Sequence, residues 1–260
     1  MTAPELVARY LDRIGLPTDL ERLTPSAETL LTLQQAHLRS VPFENLDIVS
    51  GHPVTTDVAQ SLAKVVDERR GGWCFEVNGA FAALLEALGF DVLRLGAAVL
   101  LDGPSTLIDH LCLEVQLDEP WLVDVGFGDS FTRPLRLNQR GPQDGGKAPF
   151  EFMASDQGTT LTEHVDGIPA ARYRFKRVAH PLGDFDAVST LLQRDPDRHW
   201  SQKPFATRML DDETSRVTLL SDRLKIRRDG VETTQAVPAA DWSDELDRWF
   251  GMRMTGLSAG

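Results

Sequence analysis

Up to Gly89 the apolar positions of this chain recur at helical spacing. Leu6, Val7, Tyr10, Leu11 and Ile14 form one stripe. Thr24-Pro25 reads as an N-cap followed by proline at the first helical position. The stripe that follows runs through Leu30, Leu31, Leu33, Leu38 and Val41, and Pro42 ends it. Val58, Leu62, Val65 and Val66 predict a third helix. A fourth begins at Cys74, with Val77, Phe81, Leu84, Leu85 and Leu88 on one face and Gly89 as its stop.

After Gly89 the period changes. Asp91 to Leu101, Asp109 to Leu117 and Trp121 to Phe127 are short, apolar-rich runs separated by Asp-Gly-Pro and Asp-Glu-Pro turn signals. Phe150 to Met153, Thr159 to His164 and Ala171 to Ala179 continue the strand pattern. The tail is mixed. Phe185 to Leu192 reads as helix, Asp229-Gly230 as a hairpin turn between Leu224–Arg228 and Val231–Val237, and Trp242, Leu246, Trp249 and Phe250 as a closing helix. Helices, then strands, then a mixed segment predict an α+β fold rather than alternating α/β.

The length of 260 residues allows more than one domain, and 42% hydrophobic with 25% charged residues is ordinary globular composition. Two cysteines, Cys74 and Cys112, imply no disulfide framework. Neither a signal peptide nor a transmembrane run is apparent, so the expectation is a soluble cytoplasmic protein with reduced thiols. The net charge of −12 argues against nucleic acid or an anionic membrane as a partner. It leaves room for a small anionic ligand held by local donors. The basic runs Arg172–Arg177 and Arg223–Arg228 alternate with apolar residues and read as strands with a solvated basic face.

Chemistry concentrates around Arg70-Gly-Gly-Trp-Cys74-Phe-Glu-Val-Asn78. A cysteine at a helix N-terminus meets unpaired N–H groups and the positive end of the macrodipole, both of which favour the nucleophilic thiolate. Such a nucleophile needs a base, and the base needs an orienting partner. Of six histidines, His110 opens a core strand. Asp124 interrupts the apolar run of the next strand, where an acid is costly unless paired. A turn through Asp118-Glu119-Pro120 would make the two strands antiparallel neighbours and bring His110 and Asp124 together. The alternative readings are a structural cysteine, an end-of-strand histidine and a surface-facing aspartate. Cys112 lies mid-strand with no helix end or glycine turn beside it and reads as core.

The segments His37-Leu-Arg-Ser-Val-Pro-Phe-Glu-Asn-Leu46, Arg70 to Asn78 and Val123-Asp-Val-Gly-Phe-Gly128 together resemble those of arylamine N-acetyltransferases, in order and in separation. The resemblance implies an N-terminal helical bundle (1–90), a central antiparallel β-barrel (91–183) and a C-terminal α/β lid (184–260), with a papain-like Cys-His-Asp triad. It implies that Cys74 carries the acetyl group, that His110 is the general acid/base and that Asp124 orients it. It places Phe43, Val99, Phe127 and Phe205 in the acceptor pocket and the backbone of Gly126 and Gly128 near the coenzyme, with Arg70, Glu44 and Asn78 in support. Acetyl-CoA would be the co-substrate and an aromatic amine or hydrazine the acceptor, with no metal. Amide synthases that join an acyl chain to an aryl amine share these motifs, and cysteine hydrolases share the triad. Two carboxylates depart from the family pattern: Asp109 before the histidine and Asp129 after the Gly-Phe-Gly turn. Both are expected to repel a polyanionic coenzyme if they face it.

Overall fold

The computed structural model describes residues 2–18, 23–195 and 199–254. The first part of the chain is helical: α1 (Ala3–Arg13), α2 (Ala27–Ser40), the two-residue strand β1 (Phe43–Glu44), then α3 (Leu46–Val49) and α4 (Val58–Leu62). A π-helical turn, Ala63–Asp67, continues α4, and α5 (Cys74–Ala87) follows. Helix α2 begins two residues later than Thr24-Pro25 predicts. The Ser26 hydroxyl accepts the Thr29 N–H at 3.1 Å, which makes Ser26 the cap and leaves Pro25 outside the helix. Helix α5 is buried on nearly every side, so it is the central rod of the molecule rather than a surface helix. It packs on α1 and α4 on one side and on the sheet on the other, where Phe81, Leu84 and Leu85 share a core with Tyr10, Leu33, Leu113 and Val123.

The middle of the chain forms an eight-stranded antiparallel sheet: β2 (Asp91–Val99), β3 (His110–Gln116), β4 (Pro120–Val123), β5 (Leu135–Arg136), β6 (Gln143–Asp144), β7 (Pro149–Ser155), β8 (Gly158–Val165) and β9 (Ile168–Ala179). Its order, β5-β4-β3-β2-β9-β8-β7-β6, brings the ends of the row round towards each other. At the seam the Gln143 side chain accepts the Arg136 N–H at 2.8 Å and donates to the Arg136 carbonyl at 3.1 Å. One amide thus imitates a rung of β-ladder, and the sheet is a nearly closed barrel. The interior is filled by Leu95, Cys112, Leu122, Phe150, Leu161 and Tyr173, among others. Cys112 is fully buried, and burial pushes its thiol pKa up, as expected of a core cysteine.

A 3₁₀ turn (Leu182–Phe185) leads to α6 (Asp186–Arg194) and α7 (His199–Gln202). Four strands follow, β10 (Ala206–Met209), β11 (Arg216–Leu219), β12 (Arg223–Arg228) and β13 (Val231–Ala236), and then α8 (Trp242–Phe250). The expected hairpin is present: Asp229 and Gly230 both have positive φ, 50° and 74°, as a type I′ turn requires. This sheet has a fifth member from far upstream, β1, whose Phe43 and Glu44 pair with Thr207 and Ala206 of β10. The strands Ile168–Ala179 and Arg223–Arg228 carry the two basic runs, and several of their cations are paired rather than merely solvated: Arg177 with Glu114, Arg172 with Glu163, Lys225 with Glu232 and Arg227 with Asp129. Among the described residues no helix is long and apolar enough to cross a membrane.

Asp129 joins the barrel to the C-terminal sheet. Its carboxylate meets Arg227 through two hydrogen bonds of 2.8 and 2.9 Å, Lys147 at 3.1 Å and Arg216 at 3.2 Å. Burial alone would raise its pKa, but the three cations hold it well below the usual carboxylate range. Asp129→Asn should therefore destabilise the protein by about 2 kcal/mol in a urea titration. That is less than a fully buried pair loses, because the Asp129 side chain is 39% exposed. A variant as stable as the wild type would show that the cations need no shared carboxylate.

His37 is fully buried, takes a 3.0 Å hydrogen bond with Tyr10 at Nδ1 and lies edge-on to Phe81. Burial, with Arg13 adding to it, pushes its pKa down from 6.5 to about 3. The unfolded chain then binds a proton here at mildly acidic pH that the folded chain refuses, so this residue makes stability fall as pH drops below 6.5. Between pH 6.5 and 5 the loss from this residue should be about 2 kcal/mol. In His37→Phe that part of the slope should vanish when unfolding free energies are compared at pH 7 and pH 5. An unchanged slope would remove His37 from the acid limb.

Candidate active site

Cys74 is the first residue of α5, and the reason the helix starts there lies in the turn before it. Gly71 and Gly72 admit no side chain: a Cβ on Gly71 would come within 2.0 Å of the Pro42 carbonyl oxygen, and one on Gly72 within 2.6 Å of Glu76 Oε2. The chain can therefore run tightly against β1, where Gly72 forms a parallel bridge with Phe43. Trp73 is the N-cap residue, and Cys74 follows it at the end of the helix where N–H groups lack intrahelical partners.

His110 and Asp124 come from the barrel. The turn through Asp118 to Pro120 sets β3 and β4 antiparallel, with Leu113 opposite Val123. His110 opens β3, while Asp124 stands one residue past the end of β4. The predicted strand to Phe127 stops short because the backbone after Asp124 bonds to side chains instead. The Val125 N–H donates to Asn78 Oδ1 and the Gly126 N–H to Asp124 Oδ1, each at 2.9 Å. His110 Nε2 and Asp124 Oδ2 are 2.7 Å apart, and both residues are 2% exposed. Asp124 is thus no surface residue. Its second oxygen also accepts from Asn78 Nδ2 at 2.9 Å, and the same amide donates to the Leu111 carbonyl at 2.7 Å.

Burial by itself would lower the pKa of His110. The charge and hydrogen bond of Asp124, joined by the neighbouring Cys74 sulfur, raise it instead to about 10. With Nε2 committed to Asp124, Nδ1 is the nitrogen left for the thiol. Cys74, His110 and Asp124, spread over 51 positions of sequence, are brought together at one place. An imidazole held cationic next to a thiol, with a carboxylate behind it, is suited to nucleophilic acyl transfer.

The set opens on a cleft lined by Phe43, Trp73, Cys74, Val99, Leu101, Asp109, His110, Gly126, Phe127 and Leu192. Three of the four residues expected in an acceptor pocket line it: Phe43, Val99 and Phe127. Phe205 is not among the lining residues, and its ring lies 5.6 Å from that of Phe43. Asp109 also lines the cleft, and its carboxylate accepts the Val99 N–H at 2.8 Å. The Asp129 carboxylate is paired with Lys147, Arg216 and Arg227. Gly126 has a packing reason to be glycine, because a Cβ there would sit 2.7 Å from the Cys74 Cα. Gly128 has φ +87° and faces Phe43. The supporting role of Arg70, Glu44 and Asn78 is visible as contacts: Arg70 Nη2 meets Glu44 at 2.8 Å and Asp47 at 3.0 Å. Lys64, Asp47 and Glu76 also belong to this framework. Sequence reasoning did not single them out, and the reach-back position of Glu76 three residues past the N-cap was the one local signal that could have found any of them.

Comparison with known proteins agrees with this geometry. A family model described as N-acetyltransferase matches residues 26–258. The arylamine N-acetyltransferase of Mycolicibacterium smegmatis is 35% identical over 259 residues, covering 96% of this chain and 92% of its own. Among solved structures, that of Mycobacterium marinum arylamine N-acetyltransferase in complex with CoA superposes with a TM-score of 0.86 at 32% identity, over 94% of this chain and 92% of the other. The arylamine N-acetyltransferase of Salmonella typhimurium superposes with a TM-score of 0.88 at 26% identity, over 97% and 94%. Barrel, helical rod and similarity over 96% of the chain coincide, and the chain belongs to the arylamine N-acetyltransferase family of enzymes.

Proposed function

We propose that this enzyme transfers an acetyl group from acetyl-CoA to the nitrogen of an arylamine or arylhydrazine, by a ping-pong mechanism through an acetyl-Cys74 thioester. The observation that carries the proposal is the buried 2.7 Å contact of His110 with Asp124, with Cys74 and the imidazole together lining an apolar cleft. The Cys74 sulfur attacks the thioester carbonyl, and the Cys74 N–H is placed to stabilise the oxyanion as it forms. The carbon–sulfur bond to CoA breaks, and the imidazolium of His110 gives its proton to the departing thiolate. One thioester has replaced another, so the exchange is close to balanced in energy. The amine then enters with its ring against Phe43, Val99 and Phe127 and attacks the acetyl carbon. Neutral His110 takes the proton from the attacking nitrogen, and Cys74 leaves as thiolate. Asp124 keeps the imidazole in one tautomer and stabilises its charged form.

The CoA bound to the Mycobacterium marinum relative supports CoA as the acyl carrier in solution. On this reading the chain divides into a helical domain (1–90) with the nucleophile, a barrel (91–183) with base and orienter, and a lid (184–260). The backbone of Gly126 and Gly128 would border the coenzyme's path.

Intact mass after mixing with acetyl-CoA should rise by one acetyl group in the wild type and in Cys112→Ala, and not in Cys74→Ala. Addition of an aniline should return the mass to that of the free enzyme and yield the anilide. An acetylated Cys74→Ala protein would overturn the assignment, whereas loss of the acetyl group in buffer alone would favour a hydrolase. A saturable rate with free acetyl-CoA and a simple aniline separates acetyl transfer from amide synthesis on a carrier-bound chain.

Asp124→Asn should remain folded and lose about four orders of magnitude in kcat, by analogy with the aspartate of serine triads. The amide cannot stabilise an imidazolium and invites the wrong tautomer. Near-normal turnover in that variant would remove Asp124 from the mechanism.

A further inference from the structure

The first turn of α5 is held from outside by a chain of buried charges that touches neither His110 nor Asp124. Glu76 lies two residues past Cys74. Its Oε2 accepts the Trp73 N–H at 3.1 Å, across the peptide that leads into Cys74. Its Oε1 accepts from Lys64 Nζ at 2.8 Å. Lys64 also meets Asp47 Oδ2 at 2.7 Å, and Asp47 Oδ1 meets Arg70, which in turn holds Glu44. Lys64 sits in the π-helical turn, where the Glu68 N–H bonds to the Ala63 carbonyl five residues back. Its side chain is 10% exposed and that of Glu76 is 4% exposed, so neither charge has bulk water to fall back on.

We propose that Lys64 is a positioning residue for the acyl carrier, acting through Glu76 to fix the first turn of the Cys74 helix. The inference rests on the reading of Cys74 as nucleophile and adds two residues that the triad does not contain. The N-cap position is occupied by Trp73, whose side chain makes no capping hydrogen bond. Glu76 reaching back to Trp73 is then the side-chain bond that closes this helix start. Lys64 holds the far oxygen of the same carboxylate, so the carboxylate cannot swing away. What it fixes is the direction of the Cys74 N–H and the placing of the sulfur against His110, and misplacement by about 1 Å can cost about a hundredfold in rate.

The charges that face Glu76 bear on how tightly this brace is drawn. Glu44, Asp47 and Glu76 are three carboxylates against two cations, Lys64 and Arg70. Burial pushes the Glu76 pKa up to about 7, with Glu44 adding to the rise and Lys64 opposing it. Removal of Lys64 would leave Glu76 to resolve the excess by binding a proton across the neutral range, and the helix start would lose its ionic tether.

The test uses the full-length enzyme with Lys64→Met, Glu76→Gln and the double variant. Gln at position 76 keeps an acceptor for the Trp73 N–H and loses the ionic bond. Two rates are followed from pH 5 to 9 in folded protein: alkylation of Cys74 by iodoacetamide and single-turnover acetylation by acetyl-CoA. Lys64→Met should slow acetylation by about tenfold to a hundredfold and change the pH dependence of alkylation, while KM for the amine stays within about twofold. The double variant should be faster than Lys64→Met alone, because no buried carboxylate is left without its cation. A folded Lys64→Met with wild-type acetylation and a wild-type alkylation profile would overturn the proposal. So would a double variant no faster than the single one. If Lys64→Met does not fold, Glu76→Gln decides: an unshifted alkylation profile in it counts against the brace. Alkylation reads the thiol itself, so failure to acetylate any amine would sink the proposed reaction without touching this result.

Discussion

The amide of Asn78 is the contact on which the site depends. It lies one helical turn beyond Cys74 and binds the Leu111 carbonyl next to the base, the carboxylate of Asp124 and the N–H of Val125. Three hydrogen bonds to one side chain thus tie the rod that bears Cys74 to β3, which bears His110, and to the segment after β4, which bears Asp124. The geometry has little slack, since Asn78 is fully buried and Gly126 touches the same helix turn. It also settles the cost of burying Asp124. A carboxylate in an apolar sheet is expensive unless both oxygens are hydrogen-bonded, and here His110, Asn78 and the Gly126 N–H bond to them.

The same economy of charge recurs away from the triad. The chain carries 39 acidic and 27 basic side chains, yet several of its acids are engaged internally. Asp129 binds three cations, Glu76 binds Lys64, and Glu44 binds Arg70. Net charge therefore says little about what a ligand meets at the site. The relevant quantity is which carboxylates remain unengaged once the fold has formed.

Much of this was legible in sequence. The change of period after Gly89 separates helices from strands, and the spacing of His110 and Asp124 around a short turn predicts their meeting. The three motifs predict the family and with it the barrel. What was not legible has a common physical form: partners brought together by tertiary structure with no local signal. The cations of Asp129 lie at 147, 216 and 227, and nothing near Asp129 marks them. Lys64 finds Glu76 only because the π turn and the glycine turn bring the two together. Gln143 closes the barrel from a strand too short to show a period. The cap of α2 went to Ser26 rather than Thr24 because a hydroxyl two residues on could reach the Thr29 N–H.

The pairing of β1 with β10 bears on the order in which a working site appears. Phe43, a wall of the cleft, is edge-paired to Thr207, and Asn45 exchanges hydrogen bonds with Lys203 and Phe205. These contacts span about 160 residues, so they belong to the slow, non-local part of folding. A nascent chain emerges from the ribosome with Cys74, His110 and Asp124 already synthesised, but the strand that seats Phe43 is made well after them. The thiol can meet its base before the cleft has its wall, and only the finished polypeptide encloses the place where an aromatic ring would lie.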